Sequence, residues 1–427
     1  MKKLRSKQKL IGGIAIILVA IILAIAITTN IIKNNSPIAS EGYSTTTANA
    51  NSNLVASYIK SGITIGGIIG TLESLNTFDA TALPEDILWG ETAYVKGKKI
   101  TGTRVDTVAQ AKEYRKVFEE NTYLRDDYGN RVKVPAGFKI AEDSATAVTG
   151  GVVIEDVSAE GATEYTKESQ FVWVPVGDVI TDNDGNTTTI TLGRYTFDNT
   201  GKENLVQSAE NWNDTSNSIA IDTYYKELAS SPYGNTTAKN LENFIKKATD
   251  SSGYYIGRYE GGDALATTNA RNGNIDVSYP NNPITCKAGV WPYNFVNQVD
   301  CANLCRNMYN SSNFDSDLIN SYAWYTTIVY IQKFSGDADY SRQNSLQNTL
   351  AKCGEAHSGS NYDVRCNIYD MAGNDFEWGT ETSSNGTNNY VLYGGKYSEP
   401  STNVSFHIGT YSTDSDPTIA PRPILYL

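Results

Sequence analysis

The chain has 427 residues, of which 40% are hydrophobic and 19% charged, with 28 Tyr, 35 Gly and a net charge of −12. That length exceeds one ordinary core and predicts two to four structural units. The acidic balance excludes nucleic acid as the main partner, because phosphates demand a basic footprint, and only two His leave little room for a histidine-based triad or a zinc site.

The chain opens on the basic segment "MKKLRSKQK", followed by an uncharged apolar run from Leu10 to about Ile32. At ~1.5 Å per helical residue, this run is long enough to cross a hydrocarbon core of about 30 Å. Residues 1–33 are expected to form a basic cytoplasmic tail and a single-pass membrane anchor, with the N-terminus inside and the remainder at the cell surface. A cleavable signal peptide is the competing reading, although its apolar region typically spans only ~7–15 residues. Residues 34–53, "NNSPIASEGYSTTTANANSN", are small, polar and unpatterned, which predicts a flexible stalk.

Residues 54–104 hold two related units, "ASYIKSGITIGGIIGTLE" from Ala56 and "PEDILWGETAYVKGKKITGTR" from Pro84. Alternating apolar residues with Gly at the turns predict a β-hairpin in each. Both units resemble small spacer repeats of phage tail fibres and bacterial surface proteins, although two hairpins sharing turn chemistry would look the same. Residues 105–122 place Val108, Ala111, Tyr114 and Val117 at helical spacing, predicting a linker helix. From Tyr123 to Leu427, strand-like runs such as "GGVVIED", "QFVWVPV" and "TTTITLGRYTF" alternate with turn clusters. Among these, "DNDG" at Asp182–Gly185 lacks the full spacing of a calcium loop and predicts a hairpin turn.

Several stretches of this region fall in a characteristic order: "VPAGFKI", "FVWVPVG", "SGYYIGRYEGG", "CKAGVWPYNFVNQVDCANLCRNMY", "NIYDMAGNDFEWGTE", "YVLYGGKY" and the terminal "APRPILYL". Together they resemble the formylglycine-generating-enzyme-like variant of the C-type lectin fold. The resemblance implies an α+β domain over residues 123–427, rich in short strands and loops, following the transmembrane helix and β spacers. The enzymes of that family are copper-dependent oxidases using a cysteine pair just before the final R-P element. Here the interval from Glu399 to Pro423 contains no cysteine, so neither copper nor the oxidase activity is expected, and the chain is read as a non-enzyme. The five cysteines, Cys286, Cys301, Cys305, Cys353 and Cys366, are expected to be core or disulfide-linked, with at least one thiol left over.

The resemblance further implies a structural calcium site in "DMAGNDFE", with Asp370, Gly373, Asp375 and Glu377 in the ligand positions. Hard oxygen donors suit calcium, while a metal-free turn with Asp370 and Glu377 bonded to backbone amides is the alternative. Asp375 and Glu377 as a glycosidase pair is a weaker reading, since nothing marks one as the acid.

Residues 382–418, crowded with Ser, Thr, Asn and Tyr around "VLYGG", resemble the variable segment of retroelement-diversified ligand-binding proteins. Such residues suit a recognition surface, where Tyr supplies rigid area and Ser or Asn adaptable hydrogen bonds, although ordinary polar loops draw on the same residues. The candidate contact residues are Trp378, Tyr393, Tyr397, Phe406, His407 and Tyr411, of which strand alternation allows only some to face outward. The functional expectation is a membrane-anchored, adhesin-like surface protein binding an extracellular protein or glycan. A structural fibre component and a formylglycine-type oxidase are the alternatives.

Overall fold

In the computed structural model, described for residues 55–72, 77–212, 241–267, 282–346, 349–355, 363–382, 390–399, 401–410 and 416–427, the two N-terminal segments share one hydrogen-bond frame. In the first, a turn at Ala56–Tyr58 precedes a hairpin pairing Thr64–Ile65 with Ile68–Ile69, and Lys60 bridges Leu72. The second repeats this with a turn at Pro84–Asp86, a hairpin pairing Thr92–Val95 with Lys98–Thr101, and a bridge from Leu88 to Arg104. Gly70 N donates to Ile63 O, and Gly102 N to Glu91 O, each at 2.8 Å. The glycine of each I-x-G-T element is required by a close backbone approach. A Cβ would stand 2.2 Å from Lys60 O at Gly70 and 2.1 Å from Leu88 O at Gly102. The two repeats belong to different compact units, Met1–Asp79 and Ala80–Leu427.

The expected transmembrane helix requires correction. No helix among the described residues is long and apolar enough to cross a membrane. The longest of them has 14 residues, about 21 Å at ~1.5 Å per residue and short of a bilayer core. The apolar run at residues 10–32 and the stalk at 34–53 lie outside the described residues. The membrane anchor, and the cell-surface location inferred from it, are accordingly withdrawn.

The linker helix is also shorter than its periodicity predicts. Helix α1 covers Val108–Glu113, capped by Thr107, whose hydroxyl accepts from Gln110 N at 3.2 Å. It ends because Arg115 adopts a left-handed backbone, φ 50°. Tyr114 therefore leaves the helical face and stacks on Trp89, ring centroids 4.6 Å apart. At Asp182–Gly185 the chain makes a hairpin turn between Gly177–Ile180 and Thr187–Ile190, with Asp182 Oδ1 accepting from Asp184 N and Asn186 N.

The core of the second unit is built on a six-stranded sheet. Its strands are β1 (Phe138–Ile140), β2 (Val153–Asp156), β3 (Gln170–Pro175), β4 (Gly253–Gly257) and β5 (Asp315–Leu318), completed by the C-terminal strand Pro423–Tyr426. The C-terminal strand inserts between β4 and β5, and every pairing is antiparallel. Strands β3 and β4 are apolar almost throughout and almost wholly buried, as their β-branched and aromatic content dictates. Helix α2 (Leu241–Asp250) turns Leu241, Phe244, Ile245 and Ala248 inward. Helix α3 spans Gln298–Arg306 and helix α4 Ser321–Phe334. Helix α4 is buried on every side from Ser321 to Gln332, its few polar residues included, so it forms the centre of the core rather than a surface.

A second sheet follows, with strands β6 (Phe376–Thr382), β7 (Tyr390–Tyr393), β8 (His407–Thr410) and β9 (Ile419–Ala420). Its order is β8-β7-β6-β9, with β6 and β9 parallel and the other pairs antiparallel. The C-terminal strand described above, β10, then returns to the first sheet, so Arg422 lies at the crossing between the two.

Candidate functional site

Register across the second sheet sorts the residues of this region into two faces. Trp378 pairs with Leu392 and Leu392 with Ile408, forming one row; Glu377, Tyr393 and His407 form the next. Successive residues of a strand point to opposite faces, so these rows face opposite ways. The Glu377 row turns toward the core. There Tyr393 stacks on Trp324 of α4 at 5.4 Å, and its hydroxyl donates to Glu381 Oε2 at 3.1 Å.

The other face opens into a cavity of about 320 Å³. Phe376, Leu392, Phe406, Ile408 and Ile419 supply its apolar lining, and Lys396, Glu399, Thr410, Asp416 and Thr418 its polar lining. Phe376 and Phe406 are stacked with centroids 6.1 Å apart, and the Lys396 ammonium lies 5.0 Å from the Phe376 ring centre. Ile408 is 47% exposed, an apolar side chain left open in a concave setting.

The candidate contact residues therefore separate. Phe406 lines the cavity. Tyr397, next to Lys396, is half-buried; burial, with the carboxylates of Asp375 and Asp416, raises its phenol above the ordinary range. Trp378 is fully buried and donates from Nε1 to Val296 O at 2.9 Å, which closes this end of the row to ligand. Tyr393 is likewise wholly buried. His407 points to the inner face, where its Nδ1 lies 2.8 Å from the Tyr325 hydroxyl and burial lowers its pKa to about 4. Tyr411 lies outside the described residues. Leu392, Lys396, Ile408, Asp416 and Thr418 went unnoticed in the sequence, although alternation in "FHIGT" links Phe406 to Ile408 and Thr410.

The turn "DMAGNDFE" faces the interior. Arg422 Nε and Nη2 donate to Glu377 Oε1 at 3.0 and 2.7 Å, and both side chains are completely buried. Arg422 also donates to the carbonyls of Gly257 and Tyr369. Glu260 accepts from Asn374 Nδ2 at 2.6 Å and Asp375 N at 2.9 Å. Burial first, then the Asp370 charge, pushes Glu260 up to about 8. Burial also raises Asp375 well above the carboxylate range, and raises Glu377 against the Arg422 guanidinium, which favours its ionised form.

A calcium ion at this turn would have to share it with the Arg422 guanidinium. The Glu377 oxygen Oε1 is committed to Arg422, a cation that already sits in the turn, while Glu377 Oε2 and both Asp375 carboxylate oxygens are buried without a hydrogen bond. No cluster of three or more acidic, His or Cys side chains among the described residues is placed to hold a metal ion.

Cys286, Cys305, Cys353 and Cys366 are free thiols and Cys301 is buried. Burial raises Cys286 to about 11 and Cys366 to about 12, so neither is a thiolate at neutral pH.

No protein-family model matches the chain, and no curated protein matches it. Among solved structures, it is similar to Treponema denticola variable protein 1, at 12% identity over 60% of this chain and 96% of that one, with a TM-score of 0.29. PvdO from Pseudomonas aeruginosa is similar at 11% identity over 64% of this chain and 100% of that one, TM-score 0.30. The P3c variant of Major Tropism Determinant is similar at 12% identity over 82% and 96%, TM-score 0.25. Likenesses this distant assign neither family nor activity, and the function rests on the chain's own residues.

Proposed function

We propose that the second unit is a ligand-binding domain and that its ligand, a protein or glycan, seats in the cavity between β6, β8 and β9. The observation that supports this most directly is the open apolar floor around Ile408, rimmed by Lys396, Glu399 and Asp416. Apolar concavities with a few placed polar groups are the usual form of a binding site. Burying the exposed half of Ile408 contributes about 1 kcal/mol, or ~5-fold in affinity, before any polar contact.

Binding rather than catalysis is the favoured reading because Cys286 and Cys366 are held protonated and His407 is turned into the core. The shared frame of the two N-terminal repeats supports a spacer role for them. The test is a protein and glycan array probed with the full chain and with Ile408→Asp. A ligand without a cationic group captured equally by both forms would place binding elsewhere.

A further inference from the structure

The charges that line the cavity are unequal in what they have available. Lys396 Nζ lies 2.9 Å from Glu399 Oε1, in an ion pair three residues apart. The Asp416 carboxylate stands in no ion pair among the described residues, and it accepts hydrogen bonds from Thr418 alone, N at 2.8 Å and Oγ1 at 2.5 Å, both to Oδ1. Its Oδ2 is left open while Oδ1 is fixed, so the carboxylate is held in one orientation at the edge of an apolar floor. Phe376 and Phe406, stacked with their planes inclined by 25°, line the same cavity as Ile408.

Resting on the binding reading above, we infer that this cavity receives a cationic side chain of a protein partner, an arginine or lysine. Its aliphatic stem would lie on Phe406 and Ile408, and its charged head would reach Asp416. The reason is complementarity. An apolar stem three or four methylenes long matches the floor, and a charged donor satisfies the one lining carboxylate with no cation of its own. An acidic ligand would meet Asp416 and Glu399 with only Lys396, already paired, in its favour. A neutral apolar ligand would cover Asp416 without satisfying it.

The test uses the full chain and two probes that differ in charge but not in shape, N-acetyl-arginine amide and N-acetyl-citrulline amide, titrated by NMR. At low salt the arginine compound is expected to bind about tenfold more tightly. That margin should shrink as salt shortens the Debye length to ~3 Å, close in Asp416→Asn, which keeps an oxygen for Thr418, and widen in Lys396→Met. Equal binding of the two probes, a margin that survives Asp416→Asn, or no binding of the arginine compound would each overturn the inference. If uncharged or acidic array ligands bind and are lost in Ile408→Asp, the cavity stands as the site and only the cation is wrong. If no ligand depends on Ile408, both fail.

Discussion

Arg422 and Glu377 form an ion pair with both side chains at zero exposure, the guanidinium giving two hydrogen bonds to one carboxylate oxygen. The pair joins the residue before the last strand of the first sheet to β6 of the second, so it fixes the crossing on which the cavity face depends. Removing one partner leaves a buried charge uncompensated. Glu377→Gln should therefore cost about 3 kcal/mol in chemical denaturation, while the double change Glu377→Leu with Arg422→Met should recover much of the loss. A single variant as stable as the parent would show that the pair does not hold the crossing.

Stability should fall on both sides of neutrality, for opposite reasons. His407 has a folded pKa lowered to about 4, below its unfolded value, so its contribution is present above ~6.5 and is lost as pH falls through about 4. Glu260 has a folded pKa raised to about 8, so its contribution is full below ~4.5 and is lost as pH rises through about 8. His407→Gln should flatten the acid limb and leave the alkaline one. Denaturation midpoints measured from pH 4 to pH 9 would show this, and an unchanged acid limb would count against the buried placement of His407.

Trp378 and Phe406 were indistinguishable as candidates in the sequence but should behave differently when cut back. Trp378→Ala removes a fully buried ring and should destabilise the fold by about 3–5 kcal/mol. Phe406→Ala should weaken ligand capture with a much smaller change in melting temperature. Comparable destabilisation by the two would place Phe406 in the core as well.

The repeat frame can be tested at its glycines. Gly102→Ala puts a methyl against the Leu88 and Ile87 carbonyls and should cost about 2 kcal/mol locally. Hydrogen exchange should quicken at Trp89 and Arg104, whose amides bond across that contact, and remain slow at Tyr255 in the main sheet. Quickened exchange at Tyr255 would mean that the repeat and the sheet unfold together.

The two hairpin repeats could be read from the chain because glycine and alternation are local signals, and "IIGT" and "ITGT" carry both. The stops were harder to see. Helix α1 ends where Arg115 turns left-handed, which no breaker residue announces. The motif "DMAGNDFE" was conspicuous in its carboxylates, yet their assignment depended on Arg422, 45 positions beyond Glu377. A guanidinium arriving from that distance pairs with Glu377, and no spacing rule within the motif can anticipate it. Similarly, "FHIGT" drew attention to its aromatic and His, whereas one-residue alternation gives the open face to Phe406, Ile408 and Thr410. Polar Asp416 and Thr418 enter only because β9 runs parallel to β6 and brings Ile419 beside Phe376.

The central claim is that this face binds, and the most direct measurement is the affinity of an array-selected ligand for the full chain and for Ile408→Asp, with melting temperatures recorded alongside. Placing a carboxylate on the floor should reduce affinity at least tenfold for a ligand without a cationic group and leave the melting temperature within a few degrees, since Ile408 is already half exposed. Unchanged affinity of a ligand without a cationic group in a folded Ile408→Asp protein would contradict the account.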